Sequence, residues 1–335
     1  MCGRTACTLP PSKLRRACRY KSKDNKVTEP RWKGGKVGRY YTSPNVAPMS
    51  WTPVLLSAKH AQNDPDVEGE KLDSSDRMLQ VMRWGLVPAW YKKDLKSFNL
   101  STNNCRSDGM LDKRMFSTPL NRGRRCVVLA DGYYEWKTTK DKQKIPHLIF
   151  FKNDVESSDA EEENDEDDQA VNVRPRRRVL TMAGVFEIWH PPKTEEGPND
   201  PIYAYSIITV DASPAVSGIH HRMPAILDGD EAVSQWLDYE NVPLSEAANL
   251  IKPLDTLEHF PVSSCVNNSR NKSLECMVKI EIKPPSERKG TLFSYFTKTP
   301  KVKKDSSEDD SNTAKREADS SNGSSDAKKI KTEQS

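Results

Sequence analysis

Short apolar runs, rich in β-branched and aromatic residues, recur between polar turns along most of the chain. Runs of this length and composition favour strands over helices. The first clear run reaches a turn signal at Asp131-Gly132. The pattern predicts strands within residues 125–136, 145–151, 178–189 and 203–210.

Helical spacing of apolar residues is confined to two later stretches, 230–238 and 243–251. Ser245 has the residue type and position of a helix N-cap in the second stretch. Strands outnumber helices, and strands do not alternate with helices and glycine-rich turns. We therefore predict a single α+β domain across residues 2–283, with a largely antiparallel, barrel-like β core and peripheral helices.

Two segments contain too few apolar residues to bury a core. Residues 153–178 form an acidic run followed by a basic one, between two predicted strands, which is typical of a disordered insertion. Residues 284–335 are rich in Ser, Asp, Lys and Thr and predict a disordered tail.

Composition narrows the class of protein. Of 335 residues, 35% are hydrophobic and 30% are charged, and the chain contains neither an apolar run of membrane-spanning length nor a signal-peptide core. We expect no membrane association. The seven cysteines are odd in number and form no CxxC pair, which argues against a disulfide framework or a zinc site and favours a reducing compartment. We expect no metal and no cofactor.

The net charge of +4 is unevenly distributed. Ten acidic residues and no basic residue lie between Asp154 and Asp168, and the tail from Pro284 has eleven Lys/Arg against nine Asp/Glu. Because these two segments carry −10 and +2, the rest of the chain carries about +12. Such a surface favours a polyanionic partner, most commonly nucleic acid.

Cys2 directly follows the initiator methionine. After removal of Met1 this residue would carry a thiol and a free α-amine on adjacent carbons. Their reference pKa values, about 8.5 and about 7.7–8.0, leave both groups partly deprotonated near neutrality. A 1,2-aminothiol condenses with aldehydes, first to an imine and then to a five-membered thiazolidine. The alternative is that Cys2 stands there by accident of the start codon.

Four further clusters combine acid–base groups with motif-like flanks. They span residues 82–90, 103–108, 131–136 and 220–227. Each has a structural alternative: a core position for Trp84, turn positions for the asparagines, a salt-bridged surface position for Glu135 and a solvated or structural histidine. None of the four is specific by itself.

Taken together with "MCGR" at the N-terminus, the motifs "WGLVP", "NCRSD", "DGYYEW" and "HHRMP" resemble the SRAP family, named for SOS response-associated peptidases. The resemblance covers essentially the whole predicted domain. It implies that the chain reacts through Cys2, after autocatalytic release of Met1, with the ring-opened aldehyde of an abasic deoxyribose in single-stranded DNA. The product is a thiazolidine crosslink, whose closure is favoured because both nucleophiles lie on one residue.

The resemblance also assigns site residues. Asn104 is expected to position the N-terminal amine, Glu135 to transfer protons, and His220 to assist opening of the sugar ring. Phosphate contacts are expected from the arginines within the motifs, and a stacking wall beside the lesion from the Trp-Gly pair. These DNA-binding residues are Arg4, Trp84, Gly85, Arg106 and Arg222.

The tail contains "KGTLFSYF", residues 289–296, which resembles a degenerate sliding-clamp-binding box without its usual glutamine. Its anchors would be Leu292, Tyr295 and Phe296, and the alternative is a chance apolar cluster. Two basic stretches, 298–304 and 328–331, are weak nuclear-import signals. We expect a monomer that acts in the nucleus, on chromatin at replication forks.

Two other functions remain open at this point. The first is a cysteine peptidase that uses Cys2 as N-terminal nucleophile, although no substrate groove is evident from the sequence. The second is a non-covalent reader of modified cytosine in DNA, which needs the basic surface but gives no reason for a cysteine at position 2.

Overall fold

The strand-rich pattern of the sequence produces two large sheets in the computed structural model, which describes residues 2–33, 37–62, 72–152, 178–193 and 200–282. Strands dominate because most runs combine apolar, β-branched and aromatic side chains over five to ten positions. In chain order the strands are β1 (Thr5–Cys7), β2 (Tyr20–Lys21), β3 (Val27–Thr28), β4 (Arg31–Trp32), β5 (Ser43–Val46), β6 (Trp51–Ser57), β7 (Arg77–Trp84), β8 (Asn104–Arg106), β9 (Arg125–Ala130), β10 (Gly132–Thr138), β11 (Lys144–Phe151), β12 (Leu180–Trp189), β13 (Ile202–Asp211), β14 (Arg222–Pro224) and β15 (Leu257–Pro261).

The larger sheet closes on itself. Strands β13, β12, β9, β6 and β7 follow one another as antiparallel neighbours, and β7 then pairs in parallel with β13. This closure confirms the predicted barrel-like and largely antiparallel core. β14 and β8 add to β13, and β4 adds to β7, so that the ring carries short strands on its outside.

The barrel wall is tightly packed where β9, β12 and β13 meet. A Cβ atom at Gly184 would lie 2.9 Å from the sulfur of Cys126 and 3.1 Å from the carbonyl oxygen of Ser206. Only glycine therefore fits at this point of β12. The fully buried side chains of Trp84, Tyr205 and Phe186 belong to the same core.

The smaller sheet has the order β15, β11, β10, β1 and β5. β1 lies between β10 and β5 and pairs antiparallel with both. A chain terminus is usually frayed, but here two neighbouring strands and their hydrogen bonds hold it inside a sheet. This arrangement brings Cys2 into the body of the protein.

Helices are short and peripheral, as predicted. The second predicted helix differs in detail: Pro243 occupies the N-cap position, so Ser245 lies inside the helix rather than capping it, and a 3-10 turn continues it to Leu250. Proline at the cap is compatible with a helix start because its missing N–H is not needed there. The helices are α1 (Pro11–Ala17), α2 (Arg114–Asn121), α3 (Pro214–Ser217), α4 (Asp230–Leu237) and α5 (Leu244–Ala247).

The predicted strands agree closely with the observed ones, with one difference at residues 125–136. The predicted run is divided at Asp131 into β9 and β10, which belong to different sheets. The compact unit formed by the chain is Met1–Ile282. The predicted tail, and residues 153–177 of the predicted insertion, lie outside the described residues. No helix in the described part is long and apolar enough to cross a membrane.

Candidate active site

Cys2 lies just before β1 and is fully buried. It belongs to the main cluster of buried side chains, together with Tyr133 of β10 and Tyr205 of β13. The cysteine at the chain start is therefore part of the core, which argues against an accidental residue in a loose terminus.

Burial raises the pKa of the Cys2 thiol far above its ordinary value, and the nearby charge of Glu135 raises it further. This corrects the expectation of a partly ionised thiol near neutrality, because desolvation disfavours the charged form. The sulfur is therefore a thiol in the resting protein. Any reaction that bonds this sulfur to carbon requires a nearby base to accept its proton.

Asn104 contacts Cys2 directly. Its strand, β8, runs parallel to β13 with Asn104 opposite Ile207, and its side-chain Nδ2 donates a 2.7 Å hydrogen bond to the carbonyl oxygen of Cys2. Among the described residues, the Oδ1 atom of Asn104 is buried and has no hydrogen-bond partner. The amide thus holds the N-terminal residue and keeps one acceptor unused beside it.

Glu135 approaches Cys2 from β10 and is 5% exposed. Side chains alternate between the two faces of a strand, so Tyr133 and Glu135 share one face while Tyr134 and Trp136 share the other. The aromatic residues adjacent to Glu135 in sequence are therefore not the ones on its face of the sheet. The structural alternative for Glu135, a salt-bridged position on the surface, is excluded by this burial.

Sequence analysis missed two polar side chains on the Cys2-facing side. One is Tyr133, fully buried. The other is His147, which stands directly opposite Glu135 in the β10–β11 register and is 4% exposed. Its Nδ1 lies 3.1 Å from the carbonyl oxygen of Ile145, and burial lowers its pKa, so the ring is neutral with its proton on Nδ1. The sequence signal for His147 was that it is the single polar residue within the otherwise apolar run at 145–151.

His220 lies in the turn between α3 and β14. Its Nδ1 accepts a 3.0 Å hydrogen bond from the backbone N–H of Arg222, and its ring lies 4.3 Å from that of His221. The same Nδ1 also lies 3.1 Å from the carbonyl oxygen of Arg222, so backbone groups of Arg222 fix the orientation of the ring. The contacts described for Cys2 run to Asn104 and Glu135, and the role of His220 stays a prediction.

The three predicted phosphate-binding arginines have different surroundings. Arg106 is about half exposed and pairs with Asp108, so it is accessible to a ligand. Arg222 is 4% exposed, and its guanidinium donates to Asp211 and to the carbonyl oxygen of Thr209. Arg222 is thus bound within the fold, and its phosphate contact stays a prediction.

The side chain of Arg4 is mostly bonded to other parts of the protein. Its Nη1 donates to Asn45 Oδ1 at 2.7 Å and to the carbonyl oxygen of Val266 at 2.6 Å, and its guanidinium lies over the ring of Trp136. It lies on the face of β10 opposite Cys2. The expected phosphate contact by Arg4 is therefore not supported, because these partners already occupy the side chain.

The residues of the predicted stacking wall, Trp84 and Gly85, lie in the core, and their role beside a lesion stays a prediction. Trp84 is fully buried, its Nε1 donates to the carbonyl oxygen of Asn103, and its ring is nearly parallel to that of Tyr205. Gly85 is buried as well and has a φ of 112°, which L residues with a side chain rarely adopt. The Trp-Gly pair builds the core, which is the structural alternative considered for it.

No cluster of His, Cys, Asp and Glu that could hold a metal ion occurs among the described residues. All seven cysteines are free, and Cys265 and Cys276 are neighbours with sulfur atoms 3.5 Å apart. The predicted clamp-binding residues Leu292, Tyr295 and Phe296 lie outside the described part of the chain.

Comparison with known proteins agrees with the motifs. The sequence profile of the SOS response associated peptidase (SRAP) family matches residues 1–269. The abasic site processing protein HMCES of Gallus gallus is 50% identical over 295 residues, which cover 88% of this chain and 82% of that protein. The protein of the same name from Xenopus tropicalis is 45% identical and covers 89% and 83%. The abasic site processing protein YoqW of Bacillus subtilis is 30% identical and covers 71% and 86%.

Solved structures share the fold. A Bacteroides thetaiotaomicron protein aligns with a TM-score of 0.57 at 20% identity, covering 84% of this chain and all of that one. A Bordetella bronchiseptica protein aligns with a TM-score of 0.53 at 17% identity, covering 78% and 100%. These similarities concern architecture alone.

Proposed function

Because the chain belongs to the SRAP family, we propose that it processes abasic sites in DNA and does so by forming a covalent crosslink through Cys2. The observation that carries the proposal is the buried N-terminal cluster, in which Asn104 holds Cys2 and the charge of Glu135 acts on its thiol. The names of the relatives, abasic site processing proteins, support the same substrate.

The proposed reaction begins with release of Met1, which frees the α-amine of Cys2. The amine attacks the aldehyde carbon of the ring-opened deoxyribose, and the resulting carbinolamine takes up a proton from solvent on its hydroxyl and loses water to give a protonated imine. The Cys2 sulfur then bonds to the same carbon, the C=N electron pair returns to nitrogen, and the thiol proton passes to the Glu135 carboxylate. The sum is aldehyde plus aminothiol giving a thiazolidine and one water.

The surroundings of Cys2 support this sequence of steps. A buried thiol keeps its proton until a base takes it, and Glu135 is the carboxylate whose charge acts on that thiol. Asn104 restrains the residue that carries both nucleophiles, so ring closure is intramolecular and strongly favoured. His220, whose ring is oriented by the backbone of Arg222, is proposed to assist opening of the sugar.

The proposed substrate is single-stranded DNA with an abasic site. Such a nucleotide has no base to read, so binding relies on phosphate contacts, and Arg106 is the motif arginine that is accessible for one. Affinity should fall with rising salt for the same reason. We propose a nuclear location at replication forks and use of the clamp-like motif in residues 289–296 as extensions of this function.

The experiment is a denaturing gel that separates free from crosslinked protein after incubation with a single-stranded oligonucleotide carrying one abasic site. The wild-type protein should give a band that survives denaturation without borohydride, and Cys2→Ser should give none while retaining non-covalent DNA affinity. A modified-cytosine oligonucleotide should give no such band. A wild-type protein that binds DNA but never forms the band would contradict the proposal.

A further inference from the structure

Tyr133 is the buried side chain beside Cys2 that neither the motifs nor the proposed function assigns. It is fully buried, belongs to the same cluster as Cys2 and lies on the same face of β10 as Glu135. Within the described residues its hydroxyl has no hydrogen-bond partner. After burial, the charges of Cys2 and Glu135 are the further causes that raise the pKa of this phenol.

The two other fully buried tyrosines of this region are different. The hydroxyl of Tyr134 donates to the carbonyl oxygen of Pro44 at 2.7 Å, and that of Tyr205 bonds Thr52 Oγ1 at 2.6 Å. A buried hydroxyl without a partner costs stability, and phenylalanine would fill the same space without that cost. The Tyr133 hydroxyl therefore has no structural purpose in the resting protein.

We propose that the Tyr133 hydroxyl donates a hydrogen bond to the Cys2 sulfur as negative charge develops on it during ring closure, which makes Tyr133 a further catalytic residue of the reaction. This inference rests on the proposed function. The donor keeps its proton throughout: the thiol proton still passes to Glu135, the C–S bond forms, and the C=N electron pair returns to nitrogen. The phenol only lowers the energy of the sulfur while it loses that proton.

The chemistry of the phenol fits this role. Burial, together with Cys2 and Glu135, raises its pKa well above the ordinary value, so it stays a neutral donor near neutral pH. The same burial excludes water from the Cys2 sulfur, so a fixed donor is the available source of stabilisation for a developing thiolate.

The test compares Tyr133→Phe with the matched control Tyr134→Phe, using the full chain and single-turnover crosslinking to an abasic single-stranded oligonucleotide. For Tyr133→Phe the rate near neutral pH should fall about tenfold, the value of one hydrogen bond to a developing charge. Its rate should also rise only at higher pH than in the wild type, because the sulfur loses its proton less readily.

Thermal melts complete the test. Tyr133→Phe removes an unpartnered hydroxyl, so its Tm should equal or exceed that of the wild type, whereas Tyr134→Phe should have a lower Tm with an unchanged pH profile. An unchanged rate and pH profile in Tyr133→Phe would overturn the inference while the crosslink itself still forms. A wild-type protein that gives no crosslink would instead overturn the proposed function, and the inference with it.

Discussion

Tyr133 and Tyr134 are adjacent, and both are fully buried, yet their faces of β10 differ. On the face of Tyr134, the phenol donates to Pro44 and the neighbouring indole of Trp136 donates to Asn267. On the face of Tyr133, the phenol has no partner among the described residues. The polar groups of the first face are bonded within the protein, and the second face is the one on which we place the proposed reaction.

Asn45 extends the comparison on the structural face. It is fully buried, and its amide nitrogen lies within hydrogen-bond distance of three carbonyl oxygens while its oxygen accepts from Arg4. The three carbonyls belong to Val266, Asn268 and Asn271. Asn104, on the reaction face, makes one hydrogen bond and leaves its oxygen unused. An asparagine side chain thus holds residues 266–271 in one place and holds Cys2 in the other.

The largest expected effect comes from removing the base on the reaction face. Glu135→Gln should slow crosslink formation about 100-fold or more, because the buried Cys2 thiol loses the group that accepts its proton. DNA affinity measured by fluorescence anisotropy should stay unchanged. The matched control is Glu187→Gln, because this carboxylate is also buried but pairs with Arg124. This change should lower thermal stability and leave the rate of crosslink formation unchanged. Equal rates for both variants would refute the assignment of Glu135.

The two asparagines should divide stability from activity. Asn45→Ala should lower the free energy of unfolding in urea by about 3 kcal/mol, since several buried carbonyls lose their donor. Asn104→Ala should cost about 1 kcal/mol and slow crosslinking about tenfold, since one hydrogen bond to Cys2 is lost. A larger loss of stability in Asn104→Ala, or a larger loss of crosslinking rate in Asn45→Ala, would contradict the difference between the two faces.

His60 tests a paired, partly buried group outside the proposed site. Its Nε2 lies 3.1 Å from the carbonyl oxygen of Gly123, and burial lowers its pKa from 6.5 to about 4. The unfolded chain therefore takes up a proton before the folded one does, so stability is complete above pH 6.5 and falls as the pH drops to about 4. The loss should approach about 3 kcal/mol.

Urea unfolding at a series of pH values measures this loss in the wild type and in His60→Phe. The variant keeps an aromatic ring against Phe186 and Tyr239 but has no titratable group, so the pH dependence should flatten between these limits. If both proteins lose stability equally on acidification, His60 does not carry the effect.

The smallest expected effect concerns phosphate binding. Arg106→Ala should weaken binding of single-stranded DNA severalfold and reduce the slope of log affinity against log salt by about 1. Arg19→Ala is the control, because its guanidinium is also half exposed and paired with a carboxylate but lies outside the motifs. An identical slope in both variants would leave Arg106 without a role in binding.

Much of the fold could be predicted from local pattern. The run at 203–210 is the strand β13, in which nearly every position is apolar and buried. The position of Asn104 beside Cys2 was predicted from the motif resemblance, not from local pattern. Closure of the barrel by β7 and β13 could not be predicted, since it joins segments that share no local signal. The sequence also could not predict which side chains face Cys2. Trp84 is part of the core, and the positions of His147 and Tyr133 beside Glu135 follow only from the register of β10 and β11.

The most direct measurement is an intact-mass spectrum of the protein after reaction with a single-stranded oligonucleotide that carries one abasic site. A thiazolidine at Cys2 predicts a species that lacks Met1 and is heavier by the oligonucleotide minus one water, formed without reductant and absent for Cys2→Ser. A protein that keeps Met1, or an adduct that appears only after borohydride trapping, would contradict a thiazolidine at Cys2.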